Sequence, residues 1–231
     1  MTGQARIWAV VPAAGVGRRM GADVPKQYLR LAGKTVLEHT LARLLASPRL
    51  SGVVVAVSPE DPHFARLGVS ADRVRRVAGG AERADSVLAA LRALDEAGPD
   101  DWALVHDAVR PCLHPDDLDA LIERVTASGR GALLATPVRD TMKRVEDGDV
   151  VQTVPREALW HALTPQMFRV SELIGALEAA QAAGVQVTDE AQAMERAGTV
   201  PRVVAGRADN IKITRPEDLA LAAFFLARLG P

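Results

Sequence analysis

Segments of strand length and segments of helical period alternate along nearly the whole chain, and this alternation restricts the fold more than any other feature. Ile7–Val11, Gly52–Val57, Trp102–His106 and Gly131–Thr136 are near-continuous apolar runs, the pattern of strands covered on both faces. Thr35–Leu45 carries apolar residues at helical spacing, with Thr35 and Glu38 placed as a capping box. Ser86–Ala97 reads as an amphipathic helix closed by Gly98, and another helix opens near Pro115 with acids in its first turn. Ser171–Ala183, Asp189–Ala197 and a segment from Pro216 continue the helical pattern, while Val74–Val77 and Val200–Ala205 add short strands. The alternation predicts an α/β fold, a mostly parallel sheet with helices on both faces.

The pattern breaks once. Thr141–Glu146 and Val150–Val154 flank Asp147-Gly148, a two-residue hairpin signal. A ribbon inserted in an α/β chain is a lid, a dimer arm or, most often, an inert surface feature; Arg139, Thr141, Lys143 and Arg156 at its base make a functional arm worth considering. No repeat or low-complexity linker interrupts the chain, so residues 1–231 are expected to form one domain with an arm over roughly 138–157. A net charge of −1 supplies no field to draw nucleic acid or a membrane surface. No apolar run reaches membrane-spanning length, and no signal-peptide pattern opens the sequence. Cys112 is the one cysteine, which excludes an internal disulfide and a cysteine-based zinc cluster and suits a reducing cytoplasm.

Ligands of a doubly wound sheet sit beyond the carboxyl ends of its strands, and four segments fall there. The first is the loop after Ile7–Val11, Pro12-Ala-Ala-Gly-Val-Gly-Arg-Arg-Met20, which with Lys26 gathers Arg18 and Arg19 around backbone donors able to meet an anion. It fits neither the dinucleotide fingerprint, because Met20 stands where a third glycine is required, nor the Walker pattern. The second holds Asp107 directly after a strand, where a carboxylate can ligate magnesium or merely cap a turn, with Arg110 three residues on. No serine or cysteine is placed with His106 as a triad. The third, Gly79-Gly-Ala-Glu-Arg-Ala-Asp-Ser86, is a glycine turn suited to a base or ribose pocket or to a plain αβ connection. The fourth, Arg207–Pro216, brings Asp209 and Lys212. Only four of the 28 basic residues are lysines: Lys26, Lys34, Lys143 and Lys212. Lysine placed so sparingly points to positions that need a compact ammonium.

The set is more specific than its members. Pro12-Ala-Ala-Gly-x-Gly-x-Arg-Met20, Pro25-Lys-Gln-Tyr28, Gly79-Gly-x-Glu-Arg83 with Asp85-Ser-Val87, Val105-His-Asp-Ala-x-Arg-Pro111, Arg139-Asp-Thr-Met-Lys143, Thr164-Pro-Gln166, Thr188-Asp-Glu190 and Asp209-Asn-Ile-Lys212 follow one another in this order. Over essentially its full length the chain resembles the 2-C-methyl-D-erythritol 4-phosphate cytidylyltransferases, enzymes of the non-mevalonate isoprenoid route. The resemblance implies a Rossmann-like nucleotidyltransferase fold with a protruding β-hairpin arm, a homodimer joined through that arm, and magnesium-dependent transfer of CMP from CTP to the polyol phosphate. It implies that Arg19 and Lys26 stabilise the transition state and that Arg156 and Lys212 position the methylerythritol phosphate. Ala13, Ala14, Gly15, Gly80 and Ser86 would line the nucleotide pocket; Arg110, Thr141 and Thr188 would be further substrate-site residues, Thr141 and Arg156 reaching the neighbouring subunit's site. Asp107 would hold Mg²⁺, with Asp209 as a second candidate. The chain departs from the family pattern at Ala81 and Val109. A ribitol-5-phosphate cytidylyltransferase and a catalytically silent nucleotide-binding protein on the same fold are the alternatives; the Arg139–Lys143 and Arg207–Lys212 segments and the full set of cations favour the methylerythritol reading.

Overall fold

The computed structural model describes residues 5–15, 24–70 and 72–229. A seven-stranded sheet forms its centre. It is built from β1 (Ile7–Pro12), β4 (Gly52–Val57), β5 (Val74–Ala78), β6 (Trp102–Val105), β7 (Ala132–Pro137), β10 (Trp160–Arg169) and β11 (Arg202–Ala205), in the order β11-β7-β10-β6-β1-β4-β5. Every pairing is parallel except those of β10, which runs antiparallel to both β6 and β7. Two short strands, β2 (Arg30–Leu31) and β3 (Lys34–Thr35), form a separate pair, and β8 (Met142–Glu146) with β9 (Asp149–Val154) forms the arm. The helices are α1 (Val36–Leu45), α2 (Arg83–Arg92), α3 (Pro115–Ser128), α4 (Val170–Ala182), α5 (Glu190–Arg196) and α6 (Glu217–Leu229).

Alternation along each strand divides the core between the two faces of the sheet. Ala9 and Val11 of β1 point into one layer with Leu37 and Leu41 of α1 and Leu121, Ile122 and Val125 of α3. Trp8 and Val10 point into the other, with Val87 and Leu91 of α2, Leu173 and Leu177 of α4 and Met194 of α5. A smaller apolar cluster packs α6, through Ala222 and Leu226, over Val109, Cys112 and Ile213. It fixes the backs of the segments that follow β6 and precede α6. Among the described residues no helix is long and apolar enough to cross a membrane.

Local signals account for most boundaries. Thr35 caps α1 by accepting from the Glu38 N–H, and Glu38 accepts in return from the Thr35 N–H at 2.7 Å. In the arm, Asp147 and Gly148 have φ of 50° and 93° and join the opposed pair Glu146 and Asp149, the geometry an Asp-Gly type I′ turn supplies. Two expectations require correction. The helix assigned to Ser86–Ala97 spans Arg83–Arg92, because Glu82 caps it three residues earlier in a reciprocal box with Asp85. Gly98 does not close it; that residue's N–H donates to Asp101 instead. The ten-residue β10 has no counterpart in the sequence reading. Thr164-Pro165 argues against a central strand, and the sheet accommodates the proline with a register shift between Ala162 and Gln166.

The chain passes from β1 to β4 on one side and later places β6 on the other side of β1. That is a topological switch point, where the loops leaving β1 and β6 diverge and leave a crevice at their carboxyl ends.

Candidate active site

The crevice is a cavity of about 170 Å³ lined by Ala13, Ala14, Gly15, Lys26, Gly80, Arg83, Ser86, Asp107 and Lys212 among others. Each wall has a local cause. The loop leaving β1 is held open by Gln27, itself buried, whose side-chain amide donates to the carbonyls of Ala13 at 2.7 Å and Gly15 at 3.0 Å. Lys26, on the same short helical turn, donates to the Ile213 carbonyl at 3.1 Å. At the opposite wall the Ser86 hydroxyl accepts from the Gly80 N–H and donates to the Glu82 carbonyl. A Cβ on Gly80 would lie 2.3 Å from the Asp85 Cβ, so the turn needs glycine for close approach rather than for its dihedrals. Gly80→Ala is expected to lower stability by roughly 1–3 kcal/mol through this overlap, measured by denaturant titration.

Asp107 is the electrostatic centre. It is buried, and three cations converge on it: Arg83 Nε at 3.0 Å from Oδ1, Lys212 Nζ at 2.9 Å from Oδ2, and Arg110 Nε at 3.5 Å from Oδ2. Burial by itself would raise the carboxyl, but the charges of Arg83, Lys212 and Arg110 outweigh it and hold the group ionised far below the usual carboxylate range. Arg83 is held in turn by the buried Glu190 through two hydrogen bonds of 2.6 and 3.1 Å. Burial opposes its charge, yet Glu190 and Asp107 raise its pKa. For Arg110 burial dominates and lowers the pKa; its Nη1 donates to the Asn210 carbonyl at 2.7 Å, while its Nε makes no hydrogen bond.

Lys212 owes its position to the residues around it. Ile213 N–H donates to the Val109 carbonyl, Asn210 Nδ2 to the Thr164 carbonyl, and Arg110 to Asn210. The segment is therefore stitched across the loop after β6, and Lys212 lines both the first cavity and a second of about 470 Å³. Arg110, Arg139, His161 and Asn210 also line this second cavity.

His106 is fully buried and stays out of both cavities. The Asp107 N–H donates to Thr164 Oγ1, whose hydroxyl then donates to His106 Nδ1; His106 Nε2–H donates to the Arg110 carbonyl at 3.0 Å. This network assigns a neutral ring with the proton on Nε2. Burial, the largest influence, lowers its pKa to about 4. As pH falls, the unfolded chain takes up this proton first, so the stability contributed is intact above pH about 6.5 and is lost toward pH 4. Denaturant titrations at pH 7 and pH 4.5 are expected to differ by on the order of 2 kcal/mol from this group, and His106→Gln to flatten that dependence.

The family model for 2-C-methyl-D-erythritol 4-phosphate cytidylyltransferase (IspD) matches residues 7–228. The chain belongs to this family. A 2-C-methyl-D-erythritol 4-phosphate cytidylyltransferase from Vibrio atlanticus is 56% identical over 95% of this chain and 95% of its own length. One from Aeromonas hydrophila is 60% identical over 94% and 88%. The crystal structure of the Francisella tularensis enzyme superposes with a TM-score of 0.85 at 36% identity, covering 96% of this chain and all of that one. The cytidylyltransferase fold expected from the sequence, with its mostly parallel sheet and helices on both faces, is the one observed.

Within this cytidylyltransferase architecture the expected residues divide. Ala13, Ala14, Gly15, Lys26, Gly80, Ser86, Asp107 and Lys212 surround one cavity, and Arg110 lines the adjoining one. Arg18 and Arg19 lie outside the described residues. Thr141 and Arg156 are exposed at the base of the arm, where Arg156 donates to the Arg139 carbonyl. Thr188 is exposed, bonded to Gln192, and lines neither cavity. The Asp209 carboxylate is engaged by Arg207 and also lines neither. Gln27, Arg83, Glu190, Thr164 and Asn210 received no role from the sequence. Their letters stand inside the quoted motifs, but the motifs do not say which of them meet.

The donor set also bears on magnesium. Of the acidic residues lining the first cavity, Glu82 caps α2 and Asp107 is the one facing the cations. Among the described residues no group of three or more His, Cys, Asp or Glu could form a cage. Magnesium commonly takes one or two carboxylates together with phosphate oxygens. Both Asp107 oxygens are engaged by Arg83, Lys212 and Arg110, so an ion arriving on a nucleotide would take Asp107 as its protein ligand only by displacing one of these cations.

Proposed function

We propose that the chain transfers CMP from CTP to 2-C-methyl-D-erythritol 4-phosphate, releasing pyrophosphate and forming 4-diphosphocytidyl-2-C-methyl-D-erythritol. The observation that carries this reading is Lys212, a cation shared by two adjoining cavities with Lys26 and Asp107 at its side. CTP occupies the cavity between the glycine turn and the loop after β1, and the polyol phosphate the larger one beside Arg110 and Arg139. The attacking group is a phosphate monoester with a second pKa of about 6, largely dianionic at neutral pH, so no side chain need remove a proton. The obstacle is repulsion between two anions, and fixed cations around the α-phosphate relieve it as the P–O bond to pyrophosphate breaks. Lys26 and Arg19 neutralise the triphosphate side, and Lys212 faces the incoming phosphate. Mg²⁺, when bound with CTP near Asp107, supplies further neutralisation of the phosphate oxygens.

The arm completes the site in a homodimer. Val145, Val150 and Val151 on the arm and Trp160 beside it are about half exposed, an apolar surface suited to a partner subunit. Thr141 and Arg156 at its base would then serve the neighbouring cavity. A reduced Cys112 suits a cytoplasmic enzyme. Incubating the purified protein with CTP, Mg²⁺ and either methylerythritol phosphate or ribitol 5-phosphate tests the reading. Faster pyrophosphate release with methylerythritol phosphate is expected. Preference for ribitol 5-phosphate overturns the substrate, and nucleotide binding without release overturns the chemistry.

A further inference from the structure

Two of the motifs, Thr164-Pro-Gln166 and Thr188-Asp-Glu190, place no side chain on either cavity, yet three of their polar residues are among the most deeply buried. Glu190 and Gln166 are each 1% exposed and Thr164 4%. These groups form a closed circuit that ends on Asp107. Gln166 Nε2 donates to Asp189 Oδ2 at 2.9 Å, and Gln166 Oε1 accepts from the Ala191 N–H at 2.8 Å, fastening the first turn of α5 to β10. Glu190, set by that turn, holds Arg83 with both of its oxygens. Arg83 then donates from Nε to Asp107 Oδ1 at 3.0 Å. The Asp107 N–H returns to β10 by donating to Thr164 Oγ1. Asp107 is thus fixed at its main chain and at one carboxylate oxygen, with Oδ2 left toward Lys212.

A buried ion pair adds little net stability over well-packed apolar residues of the same volume. Its consequence is geometric: a guanidinium whose two Nη groups are committed to Glu190 can aim Nε in one direction only. We infer that Arg83 and Glu190 are positioning residues for the nucleotidyl transfer, a clamp that fixes the Asp107 carboxylate so that it orients Lys212 where the two cavities meet. The clamp deepens the transfer reading above and rests on it for its catalytic meaning. Glu190, which lines neither cavity, acts only through Arg83.

Steady-state kinetics of Glu190→Gln and Arg83→Lys test the clamp. Both variants are expected to lose kcat by roughly ten- to a hundredfold, as orienting groups behind a reactive one do. KM for each substrate should stay within about threefold. Arg83→Lys keeps the charge without the fork, so its failure to rescue separates orientation from charge. Nitrogen-15 NMR of the unaltered protein should show a strongly protected Arg83 Nε–H, absent in Arg83→Lys and exposed to exchange in Glu190→Gln. Wild-type kcat in either variant overturns the inference, as does a rapidly exchanging Arg83 Nε–H in the unaltered protein. If a variant does not fold, the exchange measurement on the unaltered protein decides alone. An unaltered protein that releases no pyrophosphate with either polyol phosphate refutes the transfer reading instead, leaving the Nε–H result to judge the geometry.

Discussion

Lys212→Ala is expected to lower kcat by roughly two to three orders of magnitude, the cost of removing a preorganised charge from a developing one. The reasoning is positional. Lys212 lines both cavities, and its ammonium lies 2.9 Å from a carboxylate already shared with Arg83 and Arg110. Removing it leaves Asp107 neutralised by the two arginines, so the fold should survive while the approaching phosphate meets uncompensated repulsion. CTP affinity should change far less than kcat, because Lys26 and the glycine turn remain. Lys212→Arg should not restore turnover, since a planar fork cannot reproduce the compact ammonium between two cavities. The readouts are pyrophosphate release and calorimetric CTP binding; near-wild-type kcat in Lys212→Ala would remove this residue from the chemistry.

Asp107→Asn is expected to damage the fold as well as the reaction. The substitution leaves Arg83, Arg110 and Lys212 crowded around a neutral amide at a site that is 6% exposed. Stripping one partner from such a buried charge cluster costs about 3–5 kcal/mol, measurable as a lowered urea midpoint at unchanged slope. Turnover should fall with it, because Lys212 loses the group that orients it. Asp209→Asn provides the contrast. Its carboxylate pairs with the exposed Arg207, and water screens such pairs, so stability should barely move.

Much of this arrangement was legible in the sequence because its causes are local. The capping box of α1 requires only Thr35 and Glu38, and the arm's turn only Asp147-Gly148; each lies within four residues and forms as read. Strands read from apolar runs came out within one or two residues. β10 escaped because its proline contradicts strand grammar and a bulge absorbs it. The same division holds for the site. Asp107 and Lys212 were marked by position at element ends, whereas the Arg83–Glu190 pair joins residues 107 apart in sequence. No spacing rule connects them, since the pairing exists only after β10 and α5 have docked. His106 shows the converse: a titratable ring directly beside Asp107 in sequence, it is buried away from both cavities and holds the Arg110 backbone.

The most direct test compares the pH dependence of kcat/KM for methylerythritol phosphate and for its phosphonate analogue, whose second pKa is higher. If fixed cations alone bring the two anions together, the acid limb reports ionisation of the substrate and moves upward with the phosphonate. An acid limb that stays in place with both substrates would mean that a protein group accepts a proton in the rate-determining step, contradicting the account.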